Sequence, residues 1–474
     1  MAGLFHTLGV GEQSLYVTRQ GVDTAGHNIA NAQVEGYSRQ RVNVRARDPI
    51  LRGGNLIGSG AFTESIKRSH DQWTENQINR ANQQGGYSAA RFSALKALEN
   101  VYSPEMEAGL ADELTGFFNG LQELANIPDD LTARTNLRES ANSLAGSFHR
   151  VDSDLRRNQQ DLNERIGQEC LDLSSKLESI ARLNVKIREA EALPGAFAND
   201  MRDERDRLLR DVTTKIDITY YEDQHNMVCI RGPKNTTLVD AGNAARVENI
   251  VDPKNDGLSR IQIVDWERSS HRDVTDATGA GGISALLDVR DKIVPKLIEK
   301  NNTIAAALIE SVNSAHNTGF GINEYQETTG RNFFKPVSDM SFAARDFEID
   351  SAIVNSTDAI AAASSPMAPG DNVVVNAMVK LKDTKLLENG NTTLHGYYAN
   401  VIGVLATEVV RSDHIKNADE IVLSDLKNQR ESVSGVSMDE EAMNLMRWQA
   451  NFTASSKLIT TVDEMLETVL SLKR

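Results

Sequence analysis

The sequence predicts a mainly α-helical, elongated protein with a small inserted β domain, and three observations carry that prediction. Both ends bear matching apolar stripes. Near the start lie Leu4, Leu8, Gly11, Leu15, Thr18, Val22, Ala25 and Ile29; near the end lie Leu445, Trp448, Phe452, Ser455, Ile459, Val462, Leu466 and Val469. Each stripe advances by alternating steps of four and three, the seam of a coiled coil. Next, residues 132–192 read as helix almost without a break. Finally, residues 215–264 hold short β-type runs at regular spacing with turn signals between them. Gly11, Thr18 and Ala25 dilute the first stripe, so that helix is weak alone, and its natural partner is the C-terminal stripe.

Composition narrows the class. A chain of 474 residues suggests about three domains. The patterns divide it into a terminal coiled-coil part (1–47 with 437–474), a helical rod (48–212 with 283–436) and the β domain (213–282). With 40% hydrophobic and only 5% aromatic residues, long helices are favoured over one large compact core. The net charge of −16 argues against nucleic-acid binding, which draws its affinity from Lys and Arg. No apolar run is long enough to cross a bilayer. The first residues, Met1 to Thr7, lack a basic segment followed by an apolar core, so no cleavable signal peptide is expected. Cys170 sits on a helical stripe and Cys229 in a strand-like run, and both read as buried free thiols.

The elements follow in order. The first helix stops at Gly36. Val42, Val44 and Ala46 then alternate with Arg41, Asn43, Arg45 and Arg47, a half-exposed strand. Pro49, Gly53, Gly54, Gly58 and Gly60 make residues 48–65 a loop or hairpin. Helical signals resume near Ser65. Met106, Leu110, Leu114, Phe117, Leu121 and Leu124 form one amphipathic face that Pro128 ends. In the long helix, Leu137, Ala141, Leu144, Phe148, Val151, Leu155 and Leu162 share one heptad register. Ile166, Cys170, Leu173, Leu177, Ile180 and Ile187 share a second. The step of four from Leu162 to Ile166 is a stutter. Pro194 and Gly195 end this rod.

A charged helix follows at 199–212, with Asp203–Arg207 and Asp206–Arg210 expected as i, i+4 pairs. Metal binding by Asp200, Asp203 and Asp206 is the rival reading, disfavoured by the interleaved Arg202, Arg205 and Arg207. The β runs are 216–221, 227–230, 237–239, 247–251 and 261–264. A helix at 283–315 comes next, then mixed loops at 316–375, helices at 397–414 and 418–432, and a turn at Gly435. Ser437 and Glu440 form a capping box for the last helix, and Asp439 and Glu441 complement its dipole.

The sequence offers no catalytic pattern. Nine histidines are scattered singly, with no His-x-x-x-His, Cys-x-x-Cys or Gly-x-Ser-x-Gly arrangement. Gly279, Gly281 and Gly282 precede a helix, but neither the P-loop nor the dinucleotide spacing is present. No enzyme activity, cofactor or metal is expected.

Particular residues do carry a resemblance. Asn28 and Asn31, followed by Gly36, Tyr37, Ser38, Arg39 and Gln40, resemble the N-terminal signature of flagellar rod, hook and hook-associated proteins. The Gly36–Gln40 run has the form typical of the FlgK family at the hook–filament junction. The stretch from Ser434 through Gly435, Asp439, Glu440 and Glu441, then 444–449 with Gln449, then Asp463, Glu464 and Met465, is similar to that family's closing segment. Internal blocks at 202–209, 286–291, 313–316, 319–320 and 333–334 agree in order. Val34 and Glu35 stand where many relatives have Thr-Pro. Many relatives also carry a further β-rich insertion after the Phe333–Phe334 block, which this chain is too short there to hold.

The resemblance implies a flagellin-like arrangement and a structural role as an extracellular hook–filament junction adaptor. It implies export through the flagellar type III apparatus without signal cleavage, and helical self-assembly by head-to-tail contacts. The hook protein would lie below and a second junction protein towards the filament. An export chaperone would find its natural site on the C-terminal amphipathic helix. The free ends are expected to be disordered and to fold on assembly. The expected assembly interface is the large residues of the two stripes. Another axial rod or hook protein is the nearest alternative; a secreted adhesin using its β domain is a more distant one.

Overall fold

The computed structural model describes residues 2–52, 54–102, 109–193 and 195–471. Met1, Gly53, Met106 and Pro194, used above as start, turn, helix-face and helix-stop residues, lie outside the described residues. Helix α1 (Ala2–Asn31) leads into β1 (Gln40–Ala46), the short strands β2 (Ile50–Arg52) and β3 (Asn55–Ile57), and β4 (Ala61–Arg68). Helices α2 (Gln72–Tyr102), α3 (Leu110–Asn126), α4 (Leu131–Ala190) and α5 (Asn199–Lys215) follow. Then come β5 (Thr219–Glu222), β6 (Val228–Arg231), β7 (Thr237–Asp240), β8 (Asn243–Ala244), β9 (Arg246–Val251), β10 (Ser259–Val264) and β11 (His271–Asp273). The chain returns to helix in α6 (Gly282–Asp288), α7 (Val294–His316), α8 (Ser351–Asn355), α9 (Val373–Lys380), α10 (Leu394–Ser434) and α11 (Met438–Ser471).

The axis of the body is α4. Its 60 residues span about 90 Å at 1.5 Å per residue. All thirteen heptad residues of its two stripes are buried. The stutter has a structural counterpart. Before it, α4 packs against α3, with Gly120 lying on Leu137. From Asn163 onward α4 meets the β strands: Asn163 Oδ1 accepts from Ser259 N at 2.8 Å, and Ser174 Oγ donates to Val247 O at 3.1 Å. Gly167 lies against Asn249. Beyond the change of register the second half of α4 packs against the β strands together with α5, which it meets through Lys176–Asp211 and Asn184–Arg205.

The β strands form an antiparallel sheet in the order β5-β6-β7-β8 and a second in the order β11-β10-β9. Ile230, Leu238, Val239, Val247 and Ile261 are almost fully buried and belong to one continuous core with the helices. The β insertion therefore rests on α4 and shares its core. Among the described residues no named strand follows β11. At the other end of the rod the core is aromatic: Phe117, Phe148, Phe333, Phe334 and Phe347 stack or meet edge-on at centroid distances of 4.6–5.7 Å. Asn313 fixes this cluster, its Oδ1 accepting from Phe333 N and Phe334 N at 2.9 Å each. Cys170 and Cys229 are free and buried, and burial pushes the Cys170 thiol up to about 12.

Three expectations differ from the structure. Helix does not resume at Ser65: β4 runs to Arg68 and pairs with β1 from Gln40↔Arg68 to Ala46↔Ala61. Phe62, Thr63 and Ile66 are strand-favouring residues and pair with Arg45, Val44 and Val42, with Glu64 bulged out between, so pairing crosses the expected 47/48 boundary. The stretches 397–414 and 418–432 are one helix, since residues 415–417 contain no breaker and Lys416 bridges the gap by an i, i+4 pair with Glu420 at 3.3 Å. The helix expected at 283–315 carries a π turn at Val289–Ile293 directly before Pro295, a local widening that accommodates the proline's missing N–H and bulky ring. The two ends pair with each other. α1 and α11 are helices packed along each other, because each supplies the apolar face the other lacks.

Candidate assembly interface

α1 and α11 run antiparallel in a constant register. Gly11 faces Ile459, Ser14 Oγ meets Ser455 Oγ at 2.6 Å, Gly21 faces Trp448, and Asn28 meets Glu441. Each pair of residue numbers sums to 469 or 470. The two sequence stripes are mirror images in the same sense, Leu8 with Val462 and Val22 with Trp448, so the pattern encodes this pairing.

The residues that fill the seam are the small ones. Gly11, Thr18, Gly21, Ala25 and Asn28 are buried on α1, and Ser455 and Val462 on α11. A side chain at Gly21 would occupy the Trp448 indole, and one at Gly11 would come within 2.8 Å of Ile459 Cγ1. Small residues thus let the two backbones approach closely, and they are where the stripe looked weakest. The large residues sit on the shoulders. Leu4, Leu8, Leu15, Val22 and Ile29 are half-buried, as are Leu445, Trp448, Ile459 and Leu466. Phe452 and Val469 remain 45% and 39% exposed. Within one chain the two stripes therefore leave a strip of large apolar groups uncovered.

Where the pair meets the body, the signature residues form a buried polar knot. Asn28 is 1% exposed and uses its whole amide. Its Nδ2 donates to Gln40 O at 2.9 Å and Glu441 Oε2 at 3.1 Å; its Oδ1 accepts from Tyr37 OH at 2.8 Å and Gln40 N at 2.9 Å. Arg39 grips two of the three acids in the first turn of α11, Glu441 at 2.7 Å and Glu440 at 2.6 Å. Its backbone N donates to Ser434 O at 2.8 Å. Ser38 N donates to Asp203 Oδ2 at 2.8 Å. Gly36 has φ +84°, and a Cβ there would lie 2.6 Å from Arg210 Nη2. Its carbonyl accepts from Arg430 Nη2 at 2.8 Å, and Arg430 and Arg210 share Glu75 at 2.7 and 2.9 Å. The knot joins α1, β1, α2, α5, α10 and α11.

The electrostatics follow from burial and pairing. Burial, reinforced by Asp200 and Asp203, pushes the Tyr37 phenol far above its usual range, so it stays a hydrogen-bond donor. Burial raises Asp203, and Arg68 pulls it back only in part. Burial also works against Asp206, but Arg68 and His70 outweigh it and hold that carboxylate low. The expected pairs Asp203–Arg207 and Asp206–Arg210 are absent. Both acids turn to Arg68 at 2.7 Å, while Arg207 takes Glu204 at 2.6 Å and Arg210 takes Glu75. The face that read as solvated is an inter-element contact, with Asp203 only 6% exposed. Asp200 accepts from Gln40 Nε2 at 2.7 Å, so each carboxylate of the rival metal reading has a protein partner.

The signature residues divide into two groups. Asn28, Gly36, Tyr37, Ser38, Arg39, Gln40, Glu440 and Glu441 converge on the knot. Gly435 marks the break between α10 and α11, its N–H on Glu431 O at 2.9 Å. Asn31 bonds only locally, to His27 O at 2.9 Å. Asp439, Gln449, Asp463, Glu464 and Met465 are exposed along α11, away from the knot. Sequence reasoning missed Arg68, Glu75 and Arg430, long-range partners that no local spacing marks, and gave Arg210 a local partner in place of Glu75. Ser437 does cap α11, accepting from Glu440 N at 3.4 Å, but Glu441 is a buried partner of Arg39 as well as a helix-dipole acid.

The arrangement is structural in kind: buried ion pairs fix the angle between the terminal helices and the body. Among the described residues no three His, Cys, Asp or Glu group as a metal site, and no helix is long and apolar enough to cross a membrane. A family model described as the flagellar hook-associated protein FlgK helical domain matches residues 95–334. One described as the flagellar basal body rod FlgEFG protein C-terminal matches residues 427–472. Flagellar hook-associated protein 1 of Bacillus subtilis strain 168 is 26% identical over 505 aligned positions, covering 99% of each chain. The protein of that name from Escherichia coli strain K12 is 22% identical, covering 97% of this chain and 98% of its own. The solved flagellar hook junction protein FlgK from Burkholderia pseudomallei matches with a TM-score of 0.65 at 15% identity, over 76% of this chain and 100% of that one. The fold is therefore shared, and with half of its length matched by that helical domain the chain belongs to the FlgK family of flagellar hook-associated proteins.

Proposed function

We propose that this flagellar component is the adaptor between hook and filament, a structural rather than catalytic protein. It is exported without cleavage, polymerises on the distal end of the hook, and presents the platform on which a second junction protein and then the filament are built. The observation that carries this reading is the uncovered apolar strip along the α1–α11 pair. A monomer in water has no use for Phe452 at 45% and Val469 at 39% exposure along one stripe of α11, whereas a head-to-tail helical array buries such a strip against the next copy. The knot holds the pair at a fixed angle to the body, so that the terminal part (1–47 with 437–474) enters the wall. The helical part (48–212 with 283–436) and the β insertion (213–282) then stand outside it. The exposed face of α11 also suits an export chaperone before assembly.

The test is electron microscopy of cells lacking the gene, with an assay for flagellin in the medium. Finished hooks without filaments, and flagellin shed outside, are expected. Missing hooks would move the protein down into the rod or hook, and intact filaments would contradict an axial role.

A further inference from the structure

We infer that the β2–β3 hairpin is an intersubunit tongue that seats on the C-terminal half of α11 in a neighbouring copy of this chain. The inference rests on the polymer reading above and specifies one of its contacts.

The hairpin is apolar on both sides. Its cross-strand pairs are Ile50↔Ile57, Leu51↔Leu56 and Arg52↔Asn55, and successive residues of a strand point to opposite faces, so each face carries one apolar pair and the Ile50↔Ile57 face also holds the polar pair at the tip. Leu51 and Leu56 are 73% and 70% exposed, and Ile50 and Ile57 45% and 37%. Beyond each other the two strands make no extensive contact with the described elements. A lone two-stranded hairpin is marginal in water, and one with two greasy faces gains only when it is covered.

Charge and height identify what covers it. The segment 40–47 leading into the hairpin exposes Arg41, Arg45 and Arg47 and contains no acid; beyond it Asp48, Glu64 and, on α1, Glu12 are exposed, and Glu64 is paired with Arg45 at 3.3 Å. The hairpin is tethered beside the start of α1: His6 Nε2 meets Gly58 O at 3.2 Å, and Gly60 lies against Val10. In the antiparallel register, that level of α1 faces residues 459–463 of α11. On and beyond this level, from 458 to 469, α11 exposes Leu458, Met465 and Val469 among Asp463, Glu464 and Glu467. Around a tubular wall, the side-by-side neighbour presents at the hairpin's height an acidic, apolar surface that complements the basic collar and leucine tip.

The test uses full-length chains in cells lacking the native gene. Leu51→Cys and Met465→Cys are placed on two differently tagged copies, hook–basal bodies are isolated, and a short bismaleimide is added; Cys170 and Cys229 are buried. Cross-links carrying both tags arise only between copies, and they are expected. In parallel, Leu51→Asp with Leu56→Asp should lower incorporation about tenfold, the scale of one lost apolar anchor. Its circular dichroism and melting temperature should match the parent. Absence of mixed-tag cross-links, or parental incorporation of the double variant, overturns the hairpin contact and leaves the junction reading intact. Absence of the unmutated chain from the hook end overturns both.

Discussion

Asn28 shows how one residue can hold several elements. Its amide offers two donors and two acceptor positions, and all four are used inside a nearly dry site. Asn28→Asp would remove both donors, strand Gln40 O, and place a second carboxylate against Glu441. A loss of at least ~3 kcal/mol is expected, read as a lower melting temperature by calorimetry; an unchanged melting temperature would contradict the knot. His316 gives a second prediction, in the aromatic core. Its Nδ1 donates to Arg331 O at 2.8 Å and its Nε2 accepts from Ala361 N at 2.8 Å, which fixes the neutral tautomer. Burial pulls it down from 6.5 to about 4. The unfolded chain thus takes up a proton near pH 6.5 that the folded chain refuses until near pH 4, so stability present above pH 6.5 is lost as pH falls between the two values. His316→Gln should lose about 2 to 3 kcal/mol less than the parent between pH 7 and pH 4.5, measured by urea unfolding at both. Neither role is visible locally: Asn28 could be quoted only as part of a resemblance, and a lone histidine carries no spacing.

Between elements, what matters is how closely backbones approach. The seam of the terminal pair is built from glycine, serine and threonine, with Trp448 lying across Gly21. Gly21→Leu should push the helices apart at a cost of about 1 to 3 kcal/mol. Trp448→Ala in the same chain should return part of it, as read by the protease resistance of α11. No rescue would mean that the two residues do not share a site. The four–three spacing made both helices and their partnership legible, because periodicity survives when individual side chains are small. Periodicity does not say which positions of a stripe are buried within the chain and which are left for a neighbour. The same limit applies to α5: its alternating acids and arginines read as local pairs, yet Asp203 and Asp206 are claimed by Arg68 from a strand more than a hundred residues away. The stutter in α4 was legible as a break in register; that the second half of the helix takes up the β strands and α5 as its partners is a tertiary fact. The ladder of β1 with β4 was half legible, since its first strand alternates clearly while Ser65 falls in a run with no breaker before α2.

At the scale of the whole molecule, the chain is a rigid body carrying a sticky, angled pair of helices. The body has its own core along α4, with Leu137, Ile166 and Leu177 fully buried, and owes little to the terminal pair. Folding and assembly should therefore be separable. The measurement that tests this most directly is the incorporation of Leu15→Asp and Phe452→Asp, each purified and each followed into isolated hook–basal bodies. The account predicts two folded, helical proteins with parental body stability that are exported but absent from the hook end. Normal incorporation of both, with normal swimming, would contradict the claim that the shoulders of the α1–α11 pair carry assembly.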